Sequence, residues 1–439
     1  VVVLLHNLKN IFLVSDLRKK LAFTLGIIAV YRFGAHVPIP GIDGQALSNL
    51  FKSGMGGGLL SYLDLFSGGA LQKFAIFALG MSPYISASIM MQLLTIMLPS
   101  LEALSKEGGY GRQIIGQYTR YLALGIGVVQ AYTAASIIER QPGIVLNPGW
   151  GFKLTAILIL SVGALFTMWL GEQINTRGLG NGSSVLIFAG IVASFPNALF
   201  TLLENLRLGQ IDLILVLLLL AIVLAVISCV VFLERGERKI PVQYAKRVVG
   251  QKVYGGQSSY IPLKINPSGV VPVIFSSAIM GLPLTIAGIL AVRWPEINRF
   301  ITEWFYQEKL LYNVVNAGLI IFFAFFYTAI IFNPVELADN IRKSGGFIPG
   351  IRPGKKTAEF FDYLLTRVGF PGAVYLASLA IFPSVIKNIF SFPVMFSGVS
   401  LLIVVGVALD MSAQIESHLI ERGYEKFLAS GRLKGRYSR

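Results

Sequence analysis

Hydrophobic positions along this chain come in long, nearly unbroken runs rather than the alternating stripes of a water-soluble fold. The runs are Leu21 to Val37, Pro83 to Leu98, Tyr121 to Ile138, Leu154 to Leu170, Ser183 to Leu203, Leu213 to Leu233, Gly269 to Val292, Tyr312 to Phe332, Phe370 to Ile386 and Phe396 to Leu409. A helix rises about 1.5 Å per residue and the hydrocarbon core of a bilayer is about 30 Å thick, so the pattern predicts about ten crossings of an all-α polytopic membrane protein. Ten spans divide into five and five around the short polar link Glu204 to Asp212, giving halves 1–208 and 209–410 and a basic tail 411–439. No sequence repeat relates the halves. Many further spans follow the run after Arg18, Lys19 and Lys20, and no small-residue cleavage site closes it, so it is expected to be a first anchor rather than a signal peptide.

One stretch breaks the pattern. Between Gly56-Gly57-Gly58 and Gly68-Gly69, the residues Leu59, Leu60, Ser61, Tyr62, Leu63, Asp64, Leu65 and Phe66 supply about two helical turns with an acid in the middle. This is too short to cross a bilayer, and it reads as a small half-apolar plug between two glycine hinges. After the apolar run Phe74 to Leu79, Gly80 and Pro83 break the chain again before the helix that ends at Leu98. Irregular backbone at membrane depth is tolerated where it lines a cavity, so the cavity is expected here.

Composition narrows the class. Of 439 residues, 54% are hydrophobic and 13% charged, which excludes a soluble globular domain, whose charged share is about a quarter. The single cysteine, Cys229, rules out a disulfide framework and a cysteine-based zinc site. His6, His36 and His418 are scattered, so no metal and no cofactor is expected. The 22 carboxylates fall in loops or, like Glu172, Glu234 and Asp410, at span ends. Proton- or sodium-coupled carriers place such groups inside the membrane, which counts against the alternative of a secondary transporter of a small solute. Pro349-Gly350-Ile351-Arg352-Pro353-Gly354-Lys355-Lys356 lacks the first glycine, the Ser/Thr and the preceding strand of a phosphate-binding loop, and reads as a turn. Gly180-Asn181-Gly182-Ser183-Ser184 has no histidine base in a nearby span and reads as a helix cap rather than a protease site. No enzymatic constellation is left.

The net charge of +15 is concentrated. With the amino terminus placed in the cytoplasm, about 27 Lys and Arg fall on inside segments and about 9 on outside ones, so both termini are expected inside. The loop 234–268 carries Arg235, Arg238, Lys239, Lys246, Arg247, Lys252 and Lys264; the loop 333–369 carries Arg342, Lys343, Arg352, Lys355, Lys356 and Arg367. This exceeds what topology requires and points to docking of a large partner. Arg352 is expected to project from a turn held by Gly350, Pro353 and Gly354.

Several blocks carry a resemblance: Leu65-Phe66-Ser67-Gly68-Gly69-Ala70, Phe77-Ala78-Leu79-Gly80, Pro83-Tyr84-Ile85-Ser86-Ala87-Ser88, Gly178-Leu179-Gly180-Asn181-Gly182, Arg238 to Lys246, and Gly346 to Gly354. From about Arg18 to Arg436 the chain resembles the SecY family of bacterial protein-conducting channels. The resemblance implies an hourglass pore closed by the plug, here 58–70, and narrowed by an apolar ring at Met81, Ile85, Ile187, Ile274 and Ile403. It implies a lateral gate between the span with Gln92 and the span Val270 to Leu290, through which signal sequences and membrane segments reach the membrane lipids. It also implies passage of unfolded preproteins across the cytoplasmic membrane without covalent chemistry. The implied partners are SecE, SecG, the motor ATPase SecA and a translating ribosome. Among the basic residues, Arg238, Lys246, Arg247, Lys252 and Arg352 are the expected docking positions. The chain departs from the family pattern at Met81-Ser82, where Ile-Met is usual, at Gly108-Gly109-Tyr110-Gly111, which lacks an acid, and at Gly116, where Asn is common.

Overall fold

The computed structural model describes residues 14–44, 46–47, 67–139, 141, 143–209, 212–244, 247–249, 252–254, 258–290, 296, 309–390 and 398–429. Each apolar run falls on a helix: α1 (Ser15–Gly34), α2 (Ser82–Met97), α4 (Gly109–Glu139), α5 (Trp150–Arg177), α6 (Gly182–Arg207), α7 (Leu213–Arg235), α8 (Val271–Leu290), α9 (Leu310–Ile331), α11 (Lys355–Phe390) and α12 (Gly398–Ala429). Short helices α3 (Pro99–Lys106) and α10 (Pro334–Lys343) lie between them. Among the described residues seven helices are long and apolar enough to cross a membrane, and α2 with α3, bent by 100°, makes an eighth. The other two expected spans fall on α1, whose first turns carry Asp16, Arg18, Lys19 and Lys20, and on α8, which is apolar from Val271 to Leu290. The α2–α3 bend follows from Leu98, which is extended (φ −105°, ψ 113°), and from Pro99, which starts α3 without needing a backbone donor.

The basic loops are not structureless. Residues 237–264 form strands β1 (Glu237–Tyr244), β2 (Arg247–Val249), β3 (Lys252–Tyr254) and β4 (Ser258–Lys264), and the second loop adds β5 (Gly346–Phe347). The main sheet runs β4-β1-β5, with Ile240 opposite Ile261 and Tyr244 opposite Gly346. Strand β5 therefore ties the second loop to the first. Alternation along β1 turns Ile240 and Val242 inward, where they pack with Leu263, Ile348, Phe361, Leu364 and Leu365.

By packing, the chain falls into two compact units: Val1–Leu203 with Leu284–Thr302 and Val407–Arg439, and Glu204–Pro283 with Glu303–Gly406. In the first, α2 packs on α4, α4 on α5, and α1 on α5. Antiparallel α4 and α5 are tied near both ends, by Arg120 to Glu172 at 2.7 Å and by Lys153 to Glu139 at 2.8 Å. Between those pairs Ala87, Ala123 and Met168 form an apolar contact of small and flexible side chains. The second unit holds the sheet and the α9–α11 contact. There Ser276 of α8 donates to the Asn316 side chain of α9 at 2.6 Å, beside edge-on contacts of Phe275 with Phe323 and Tyr327.

Candidate functional site

Residues 67–81, which include the second glycine hinge and lead into α2, take the course of a broken helix. Gly68 (φ +62°), Gly69 (φ +84°) and Gly80 (φ +52°) adopt left-handed backbone that other residues avoid. A single 3-10 turn, Leu71–Lys73, is followed by Phe74, which is left-handed although it is not glycine (φ +42°) and is fully buried. Surrounding hydrogen bonds impose that conformation: Phe74 N–H donates to the Leu71 carbonyl at 2.9 Å, and Ile39 N–H donates to the Phe74 carbonyl at 3.0 Å. Ile76 N–H donates to Val37 at 3.0 Å, completing a short bridge between 37–39 and 74–76.

Helix α5 seats the same segment with small residues. A side chain on Gly163 would strike the Ile76 carbonyl, and the Thr167 hydroxyl donates to the Gly80 carbonyl at 3.0 Å. One turn further, Gly171 meets the backbone of Gly182 at the start of α6, and the Met81 and Leu186 side chains close over it. Helix α6 is capped by Asn181, whose side chain accepts from the Ser183 N–H at 3.2 Å and the Ser183 hydroxyl at 2.7 Å. The motif 178–182 is thus a structural junction. Leu179 N–H donates to Thr24 of α1 at 3.0 Å and Gly180 N–H to Gln414 of α12 at 2.8 Å.

The expected ring residues fall on four helices and their caps. Met81 (1% exposed) precedes α2, Ile85 is half-buried on α2, and Ile187 (2%) lies on α6, all in the first unit. Ile274, half-buried on α8, and Ile403 (1%) on α12 belong to the second. Gln92 is exposed on α2. Leu59, Leu60, Tyr62, Leu63, Asp64, Leu65 and Phe66 lie outside the described residues, as does Lys246.

Of the docking candidates, Arg238 is exposed on β1 beside Lys239, whose ammonium stands 4.8 Å above the Tyr260 ring. Arg247 and Lys252 sit on the small hairpin β2–β3, at opposite ends of its register. Arg352 is exposed in a turn closed by Ile351 N–H to the Ile348 carbonyl at 3.1 Å and by the Thr357 hydroxyl to the Arg352 carbonyl at 3.0 Å. Gly350 (φ +83°) and Gly354 (φ +101°) permit the turn. It leads into α11, so Arg352, Lys355 and Lys356 lie close together along the chain, all exposed.

Arg32 lies within the first apolar run, Leu21 to Val37, where nothing local in the sequence assigns it a role. Its guanidinium donates to the Gly68 carbonyl at 3.1 Å, and the neighbouring Tyr31 hydroxyl donates to the Ser67 carbonyl at 3.2 Å. An arginine in an apolar run is the signal that could have found it, since such a charge needs a partner.

The family model described as SecY matches residues 75–412. The chain is 44% identical over 426 residues to the protein translocase subunit SecY of Escherichia coli K12, covering 96% of each chain. It is 44% identical over 427 residues to the protein translocase subunit SecY of Aquifex aeolicus, covering 96% of this chain and 99% of that one. Among solved structures, the fold is similar to a SecY whose plug domain stabilizes the closed state of its translocation channel (TM-score 0.66, 18% identity, 91% of this chain and 92% of that one). It is also similar to Sec61 in a canine ribosome–channel complex from the endoplasmic reticulum (TM-score 0.60, 16% identity, 91% and 92%).

Proposed function

The chain belongs to the SecY family and is the channel subunit of a Sec translocase, moving polypeptides across a membrane; on that premise we propose how its own residues make the channel. The proposed architecture is ten spans in two five-helix halves, 1–208 and 209–410, around an hourglass pore. Residues 58–70 plug the pore from outside, and Met81, Ile85, Ile187, Ile274 and Ile403 form its apolar collar. Such a collar suits a passing chain whose side chains change at every step, because apolar contacts are weak and sequence-tolerant and exclude water when closed. The reading that fits α2 and α8 is a lateral gate, with Gln92 on its first helix, through which signal sequences and membrane segments move sideways into lipid. Both termini and the sheet unit face the cytoplasm in this proposal, with the chain in the cytoplasmic membrane.

The observation that carries the reading is the segment 67–81: irregular backbone in an apolar bundle, seated on glycines of α5 and α6 and ending at Met81. A channel that does no chemistry takes its energy from partners. SecA or a translating ribosome would engage the basic loops at Arg238, Lys246, Arg247, Lys252 and Arg352, with SecE and SecG completing the complex. A solute carrier would need charged groups in the middle of its spans, and Glu139 and Glu172 are instead paired with Lys153 and Arg120 toward span ends. The test is reconstitution of the chain with and without SecE and SecA, scored by protease protection of a secretory precursor. Protection that requires all three supports the assignment; none in the complete mixture refutes it.

A further inference from the structure

Arg32 lies in the last turn of α1, at the other end of that helix from Arg18, Lys19 and Lys20, where the positive-inside pattern asks for no cation. Its presence there costs desolvation unless something repays it. The structure supplies the repayment in the backbone of Ser67–Gly68. Arg32 holds the Gly68 carbonyl and Tyr31 the Ser67 carbonyl, from adjacent positions of one helix. From the other side α6 closes in. A Cβ on Gly68 would fall on the Gly190 backbone, and the Cβ position of Gly190 is 3.1 Å from Gly68 Cα and 3.8 Å from the Tyr31 hydroxyl. The Tyr31 ring is itself fixed, stacked with centroids 6.0 Å apart on Phe77, whose ring fills the space that Gly34 leaves open. The Ser67 hydroxyl accepts from Leu71 N–H at 3.2 Å, carrying the grip into the following turn.

We propose that Arg32 and Tyr31 clamp the Ser67–Gly68 turn against Gly190, and that this clamp sets how much of the resting channel is closed. The inference rests on the reading that residues 58–70 seal the pore. Arg32 and Tyr31 are positioning residues: they hold backbone, and the passing chain need not touch them. Two bonds to carbonyls let the sealing residues vary freely in sequence, since neither depends on a side chain of that segment. A charge-assisted hydrogen bond lost from the closed state alone raises the open fraction by about tenfold to a hundredfold.

The test measures resting ion conductance in planar bilayers containing the full chain with its co-purified partners and no precursor. The comparison covers wild type, Arg32→Ala, Arg32→Lys, Gly190→Ala and a deletion of residues 60–67. Arg32→Ala is expected to raise resting conductance about tenfold or more, and Arg32→Lys, which still donates, to keep most of the seal. Gly190→Ala pushes on the same turn without touching the charge and should also leak. The Arg32→Ala/Gly190→Ala pair should then leak no more than the worse single variant, as expected for two breaks in one contact. If the deletion leaks and Arg32→Ala does not, the clamp is refuted while the sealing segment stands. If neither leaks, the sealing reading fails and the clamp with it. Equal leaks from Arg32→Ala and Arg32→Lys, leaks that track a lowered melting temperature in detergent, or additive effects in the double variant would each overturn the proposal.

Discussion

Ile403 and Arg352 stand at opposite extremes of exposure, and each makes its proposed contribution by that placement. Ile403 is 1% exposed, so an amide there is buried with two donors and an acceptor to satisfy, at a cost of about 1–3 kcal/mol to the closed state. Ile403→Asn should therefore shift the population toward open and admit precursors with defective signal sequences, because less binding energy is needed to complete the shift. Export of such precursors, compared with normal ones, checks this; continued rejection at wild-type export rate would remove Ile403 from the collar. Arg352 presents a planar fork from a rigid turn, suited to a partner carboxylate, carbonyl or phosphate. Arg352→Glu should cut SecA-driven translocation into membrane vesicles at least about tenfold, the worth of one charge-assisted contact, with insertion unchanged. Arg352→Lys should be partly active, since an ammonium cannot reproduce the fork; silence of both variants would mark a solvated loop charge. Arg352 was legible because its turn is written locally, in Gly350, Pro353 and Gly354. Arg32 was not, because its partner Gly68 lies 36 positions away and offers only a carbonyl.

Helices and strands differed in how much of them the sequence disclosed. Among the described residues each of the ten long apolar runs lies on a helix, since an apolar run of that length has few other solutions in lipid. The ends were less legible: α12 continues through Asp410 to Ala429 with no proline to stop it, and α11 begins at Lys355 and runs on through Gly369, Pro371 and Gly372, which read locally as a break. The sheet was hidden for a different reason. In β1 only Ile240 and Val242 alternate inward, Pro241 sits between them, and β5 is two residues long, so no window holds a strand-like period. What stabilises it is non-local, the packing of Ile240 and Val242 with Phe361 and Leu364 across two loops. Ile240→Asp should accordingly open the whole platform, a cost of at least about 3 kcal/mol from burying an unpaired carboxylate, while leaving the bundle inserted. Limited trypsin digestion of membranes would then cut within both 234–268 and 333–369. Cleavage confined to the first loop would mean that the two loops do not share one core.

For the whole molecule, the net charge of +15 matters by its distribution, since Lys and Arg retained on one side fix which way the bundle lies in the membrane. The wild-type chain suits a test, because Cys229 is its single cysteine. That thiol is exposed on α7, six residues before Arg235, or about 9 Å into the span at 1.5 Å per residue. Lipid covers that depth, so a charged maleimide added from either side should leave Cys229 unmodified and give a blank background. Introduced thiols then report sides one at a time. Ser438→Cys in the basic tail and Ser344→Cys beside the sheet should react in inside-out vesicles and be protected in intact cells. Leu208→Cys in the link between halves should show the reverse, with at least about a tenfold ratio in each case, a difference that membrane impermeability readily sustains. Reaction of the tail and link thiols from the same side would require an even number of crossings between them and would break the five-plus-five arrangement. Reaction of all three with sides exchanged would keep the arrangement and invert the bundle, placing the basic loops where neither SecA nor a ribosome could reach them.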